Sequence, residues 1–309
     1  MRCKPSASVL AAVFSAVFAA TTAAAEETAL PPVANPATDS KPLRLTIGVN
    51  DIYCRKTACA CIGNIATRSY DGVLAALAKQ HGITLELTYF MEVMDLDKAI
   101  LARRFDGVLC KPWTALRHAK QSGANFTRVA DVRDPDNHAT MTGWIVVPAT
   151  SPIRALADLN GKRLVFGQPD SYEKHAAPLL LLAAAGVKPV SGQYFSSCGE
   201  NLDALMNGTV DAAVISSYAL SASCAVDFAK PEDFRTIAKT AEMPLTSLLV
   251  DLKKVSPAAA THLQQALLAI SGDPTPKDFC GKGFVAPLPW QPVAAGVEVT
   301  PKTPPPAEP

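Results

Sequence analysis

Ser151-Pro152-Ile153-Arg154-Ala155-Leu156-Ala157-Asp158-Leu159-Asn160-Gly161-Lys162-Arg163-Leu164-Val165-Phe166 is the stretch that decides the fold. Ser151-Pro152-Ile153 leads into a short turn over Ala155–Asn160. Gly161-Lys162-Arg163 then delivers the chain into a buried strand, Leu164–Phe166. A helix follows over Ala176–Ala185, closed by Gly186, then a strand at Gln193–Phe195. Leu202–Met206 is a second helix, closed by Gly208, and Ala212–Ile215 a second buried strand. Phe234–Ala238 and Thr246–Val250 read as strands, and Pro257–Ile270 as a strongly apolar closing helix.

The same alternation has already run once upstream. Leu43–Val49 is a strand, Tyr70–His81 a helix stopped by Gly82, and Thr84–Phe90 a strand. Asp95–Arg104 reads as a helix capped by Asp95, Phe105–Leu109 as a short buried strand, and Trp113–Gln121 as a helix ending near Gly123. Trp144–Val147 is a further strand. Strand–helix alternation predicts a parallel α/β sheet with right-handed crossovers, and two rounds of it predict two lobes. No internal repeat of fixed period is present.

The two ends are of another character. Met1-Arg2-Cys3-Lys4, the apolar run Val9–Ala20 and the small residues Ala23-Ala24-Ala25 form the three parts of a cleavable secretory signal, residues 1–25. The apolar run is short of the roughly 20 residues that cross a bilayer. Residues 26–42 are a flexible leader, and 286–309 a Pro-rich tail expected to be extended or disordered. Of 29 basic and 28 acidic residues, the signal carries only Arg2 and Lys4, so the exported chain is close to neutral. No basic stripe points to nucleic acid. With 49% apolar residues the chain has ample material for a core.

Three stretches resemble the phosphonate/phosphate-type periplasmic solute-binding proteins, a branch of the type 2 binding proteins of ABC transport. They are Phe105-Asp106-Gly107-Val108-Leu109-Cys110-Lys111-Pro112, the opening stretch continued to Asp170-Ser171, and Leu205-Met206-Asn207-Gly208-Thr209-Val210-Asp211-Ala212-Ala213. The resemblance covers about residues 43–285. It implies a two-lobed α/β fold, with lobe 1 formed by 43–145 plus 245–285 and lobe 2 by 146–244, and a ligand in the cleft between. It also implies a periplasmic protein that is not an enzyme and needs no cofactor. Its partners would be an ABC permease or, in the arsenite-sensing branch, a two-component sensor kinase. One departure matters. Where the family opens a helix with a Ser/Thr-Ser-Gly cluster that holds an anion, this chain has Asp170-Ser171-Tyr172-Glu173-Lys174-His175. Glu173 would repel an anion if it faced inward.

The exported chain keeps seven cysteines, and export makes disulfides permissible. Cys54, Cys110 and Cys198 each sit just past a strand-like run, where an open α/β sheet presents its ligand crevice. Cys110, beside Lys111, is either an inert buried thiol or a soft ligand. Cys198 is either a cleft thiol or half of a bridge to Cys224. The cluster Cys54, Cys59 and Cys61 is read as disulfide pinning of the first loop, with a soft-metal site as the alternative. Ser171, with Tyr172 and His175, opens a helix and either binds an oxygen-rich ligand or merely caps. Tyr53, Ser217 and Tyr218 follow strands and are expected at the cleft. No catalytic triad, metalloprotease helix, P-loop or dinucleotide fingerprint appears.

These readings converge on a periplasmic protein that captures a small oxyanion or oxyacid. Thiol-assisted arsenite sensing is the sharper form of that expectation. Phosphate or phosphonate capture for a permease is a second form, and service as an accessory module of an exported redox enzyme a third.

Overall fold

The computed structural model describes residues 42–58, 63–188, 191–195, 197–221 and 229–292. The expected signal segment, nearly all of the leader, Cys59, Cys61, Cys224 and the end of the tail lie outside the described residues.

Two sheets organise the chain. The first opens with β1 (Leu43–Val49) and α1 (Asp71–His81), whose turn into β2 (Ile83–Tyr89) uses Gly82 at φ 64°. Then come α2 (Val93–Leu101), β3 (Gly107–Cys110), α3 (Pro112–Ser122) and β4 (Phe126–Val132). Pro112 starts α3, where its missing N–H costs nothing, and Gly123 in the left-handed region ends it. The chain crosses over through β5 (Thr140–Met141) and builds the second sheet from β6 (Gly143–Pro148), β7 (Arg163–Gly167), β8 (Ser191–Phe195), β9 (Ala212–Ser216) and β10 (Phe234–Lys239). Helices α4 (Ala177–Ala184) and α5 (Cys198–Met206) flank it. β11 (Met243–Pro244) pairs antiparallel with β5, and the chain returns to the first sheet as β12 (Ser247–Asp251). Helix α6 (Pro257–Ala269), capped by Ser256 on the Ala259 N–H, and β13 (Phe284–Val285) complete it.

The first sheet runs β13-β4-β12-β3-β1-β2 and the second β10-β6-β9-β7-β8. Only part of each is parallel: β3-β1-β2 in one and β9-β7-β8 in the other. The parallel α/β sheet expected from the alternation is present in each lobe, extended by antiparallel strands into a mixed sheet. The antiparallel members include the strands that enter or leave a lobe, β6 and β12, because a chain that crosses out and back must reverse direction. β4 carries no strand signal in the sequence. α2 starts at Val93, two residues before the expected cap Asp95, which pairs with Lys98 instead.

Each lobe has its own core. Ile47, Val49, Leu77, Ile83, Val250 and Leu263 fill the first, against α1 and α6. The second sheet is packed on both faces, by Leu202 and Ile215 on one side and Phe166, Leu182 and Val214 on the other. Fully buried apolar strands with helices on both sides are the pattern of an α/β lobe.

Candidate ligand site between the lobes

A cavity of about 590 Å3 lies where the two lobes and the β5–β11 crossing meet. Lobe 1 supplies Tyr53, Asn64, Thr67 and the turn Asp134–His138, the crossing supplies Thr140, Thr142 and Glu242, and the second lobe supplies Ser217, Tyr218 and Ser221. Ser217 is held in place from both sides. Its N–H donates to the Thr142 carbonyl, and its Oγ accepts from the Thr142 N–H. The lobes also touch directly, through Asn64 Nδ2 donating to the Ser221 carbonyl at 2.9 Å.

Deeper in the seam lies a second polar group. Tyr172–Ala176 forms one turn of π-helix ahead of α4. It lies close against the second sheet because two neighbours lack side chains. A Cβ at Gly143 would stand 1.8 Å from the Glu173 carbonyl oxygen, and one at Gly167 2.5 Å from the Lys174 Cβ. The turn aims Glu173 inward, with none of its surface exposed. Glu173 Oε1 accepts from Lys111 Nζ across the lobes at 2.6 Å and from Ser216 Oγ at 2.8 Å. Burial alone would raise this carboxyl, but Lys111, Lys174 and Ser216 outweigh it and hold it at about 2. Burial likewise opposes the Lys111 charge, and Glu173 reverses that and keeps the ammonium ionised. Glu173 Oε2 and Ser171 Oγ are buried and make no hydrogen bond to any described residue.

Aromatic packing closes the seam. Tyr172 lies between Trp113 of α3, ring centres 5.1 Å apart, and Trp290, 5.4 Å away and edge-on. Trp290 belongs to the start of the tail, which is not loose there. The Leu288 N–H donates to Asp131 Oδ2 at 2.8 Å, and Arg128 donates to the Leu288 carbonyl. From 286 to 292 the tail has neither helix nor strand, as expected of an extended segment, but Leu288 and Trp290 hold it against the protein.

The residues singled out in the sequence therefore separate. Tyr53, Ser217 and Tyr218 line the cavity. Lys111 pairs with buried Glu173, Ser171 is buried at the start of the same π-turn, and Tyr172 lies in the aromatic seam. His175 is turned away. Its Nδ1–H donates to the Gly167 carbonyl at 2.8 Å, its ring packs on Phe166 and Tyr194, and burial lowers its pKa. Cys110 does not face the cleft. It is wholly buried among Leu96, Ile100, Val108, Ala115 and Leu249, because the last residue of β3 points under α2 and α3.

The thiols do not converge. Cys54 lies in the core of the first lobe, Cys110 in the cluster under α2 and α3, and Cys198 in the core of the second lobe. All three are free, which corrects both the Cys198–Cys224 bridge and any role for Cys54 in pinning the first loop. Burial pushes the Cys54 and Cys110 thiols up, away from the thiolate that binds soft metals. Cys198 Sγ instead accepts from the Ser216 N–H at 3.5 Å. Cys280 is disulfide-bonded.

Sequence reasoning missed Asp134, Asp136 and Glu242 on the cavity wall. They sit in a turn and at the crossing strand, where no motif marks them. The Asp134-Pro135-Asp136-Asn137 run carries only a turn signal.

The family described as the periplasmic substrate-binding protein of phosphonate ABC transporters matches residues 64–284. Among solved structures, the chain is similar to a protein from Xanthomonas citri bound to ATP, at 18% identity and a TM-score of 0.59, covering 80% of this chain and 91% of that one. It is similar to a binding-protein component of an ABC phosphonate transporter from Pseudomonas aeruginosa, at 15% identity and a TM-score of 0.55, covering 80% and 82%. It is also similar to PhnD1 from Prochlorococcus marinus in complex with methylphosphonate, at 15% identity and a TM-score of 0.55, covering 80% and 93%. No curated protein matches the sequence. At these identities the structures establish the fold and nothing finer.

Proposed function

The chain belongs to the periplasmic substrate-binding family of phosphonate ABC transporters, and from that premise we propose that it captures a small polar solute without an anion seat. Its family is non-enzymatic, and among the described residues no helix is long and apolar enough to cross a membrane. Export through the 1–25 signal and delivery to a permease complete the reading.

The observation that carries it is Glu173. By the family resemblance, the segment after Asp170 is where an anion would be held. Here Glu173 brings its own carboxylate to that segment, shared by Lys111 and Ser216. A free phosphonate or phosphate there would meet a buried negative charge with its cation already taken. The expectation of a free oxyanion therefore does not suit this cleft. Multi-thiol arsenite capture is equally unsupported, since the three free thiols among the described residues sit in three different cores. What remains is a hydroxyl-rich cavity of about 590 Å3, a size suited to a small solute.

The test is native mass spectrometry of the mature protein recovered from the periplasm. Wild type should carry a small molecule that Tyr218→Ala loses while its fold is unchanged. A co-purified phosphate or phosphonate retained through Ser171 would contradict the reading.

A further inference from the structure

We propose that the cavity wall selects a solute bearing a positively charged amine. The inference deepens the solute-capture reading and rests on it. Among the described residues, the ionisable groups of the lining, apart from two phenols, are Asp134, Asp136, Glu242 and His138. The three carboxylates come from two separate segments, the 134–138 turn and the residue before β11, so they face the same space from different sides. His138, the one basic side chain among the described lining residues, is 70% exposed and stands 3.5 Å from Asp134.

Strong cations lie near the cavity but behind its wall. Arg68 is wholly buried, paired with Asp51 at 2.7 Å. Lys111 is paired with Glu173, and Lys174 is buried beside the same carboxylate. None of the three is part of the lining. The surface a solute meets is therefore acidic, although the chain as a whole is close to neutral.

A second observation points to a ligand independently of the acids. Tyr53 is 93% buried (7% exposed) yet its hydroxyl makes no hydrogen bond to any described residue. It lines the cavity, within the electrostatic reach of Asp134 and Tyr218 on the same wall. A buried phenol without a partner is a polar group awaiting one. An ammonium seated among the carboxylates, with its polar remainder against Tyr53, Tyr218 and Ser217, satisfies both features. A metal ion does not fit as well: among the described residues, no three His, Cys, Asp or Glu side chains gather closely enough to hold one. An organic cation needs no such convergence, because it is held by diffuse charge and by aromatic faces.

The experiment is calorimetry and thermal shift on the mature wild-type protein. The probes are choline, ethanolamine and putrescine, with 3,3-dimethylbutan-1-ol as the uncharged isostere of choline. At least one amine should bind and raise the melting temperature, the isostere should not, and binding should weaken with salt. Glu242→Gln, an exposed change that keeps the fold, and Asp134→Asn should each weaken binding about tenfold, the scale of one charged contact. Equal binding of choline and its isostere would overturn the proposal and leave solute capture standing. Failure of all three amines, or binding indifferent to both substitutions, overturns it as well. If Tyr218→Ala also leaves the co-purified solute in place, the capture reading itself fails.

Discussion

Two buried ion pairs do different work in this molecule. Asp51 and Arg68 lie within the first lobe, both side chains wholly buried. Asp51 also accepts from the Tyr70 hydroxyl at 2.8 Å and the Tyr53 N–H at 3.2 Å, while Arg68 donates to the Arg133 carbonyl and lies over the Phe279 ring. Lys111 and Glu173 instead join one lobe to the other, and the second carboxylate oxygen of Glu173 has no hydrogen bond to any described residue. A charge surrounded by partners on one rigid body fixes a fold. A charge half satisfied between the lobes ties one to the other, and in the function proposed above it takes the place of a bound anion.

That contrast predicts where substitutions bite. Arg68→Ala should cost most, about 3–5 kcal/mol of stability, because it strands the buried Asp51 carboxylate. Urea melts followed by near-ultraviolet circular dichroism would measure it, and a loss of under about 1 kcal/mol would show that Asp51 finds other partners. Gly143→Ala comes next, at about 1–3 kcal/mol, the usual cost of overpacking. Its Cβ would stand 1.8 Å from the Glu173 carbonyl oxygen, so the π-turn must move and carry Glu173 off Lys111. If the variant melts like wild type, the close approach is not what sets that turn.

Acid should separate the pairs further. The Glu173 carboxyl is held at about 2, below its ordinary 4.5. A lowered carboxyl stabilises the folded form fully above 4.5, and that stabilisation is lost as pH falls from 4.5 toward 2. Glu173→Gln should flatten this part of the stability–pH curve, and an unchanged slope would mean that other carboxylates govern it. The smallest expected effect belongs to the thiols. Arsenite should leave the wild-type melting temperature unmoved, and a rise abolished by Cys110→Ser would reinstate a thiol site.

Much of the fold was legible because local chemistry agreed with it. Leu43–Val49 alternates, Pro257 starts a helix and Gly82 ends one, and each element stands where those signals put it. β4 escaped because Thr127, Arg128 and Asp131 interrupt its apolar pattern; Arg128 and Asp131 are spent on holding the tail. The site was legible only in part. Tyr53, Ser217 and Tyr218 follow strands, and strand ends do face the cavity. Cys110 also ends a strand but points to the other side, because side chains alternate along β3 and position alone does not give the face. Glu173 was visible as a departure from the family segment. Its inward orientation depends on a π-turn, which shifts side-chain phase relative to a regular helix.

Titration of methylphosphonate into the mature wild-type protein and into Glu173→Gln tests most directly whether the chain supplies its own anion. No heat of binding in wild type and a measurable heat in Glu173→Gln, where Lys111 is released from its carboxylate, is the predicted result. Binding in wild type that Glu173→Gln leaves the same or weakens would contradict it.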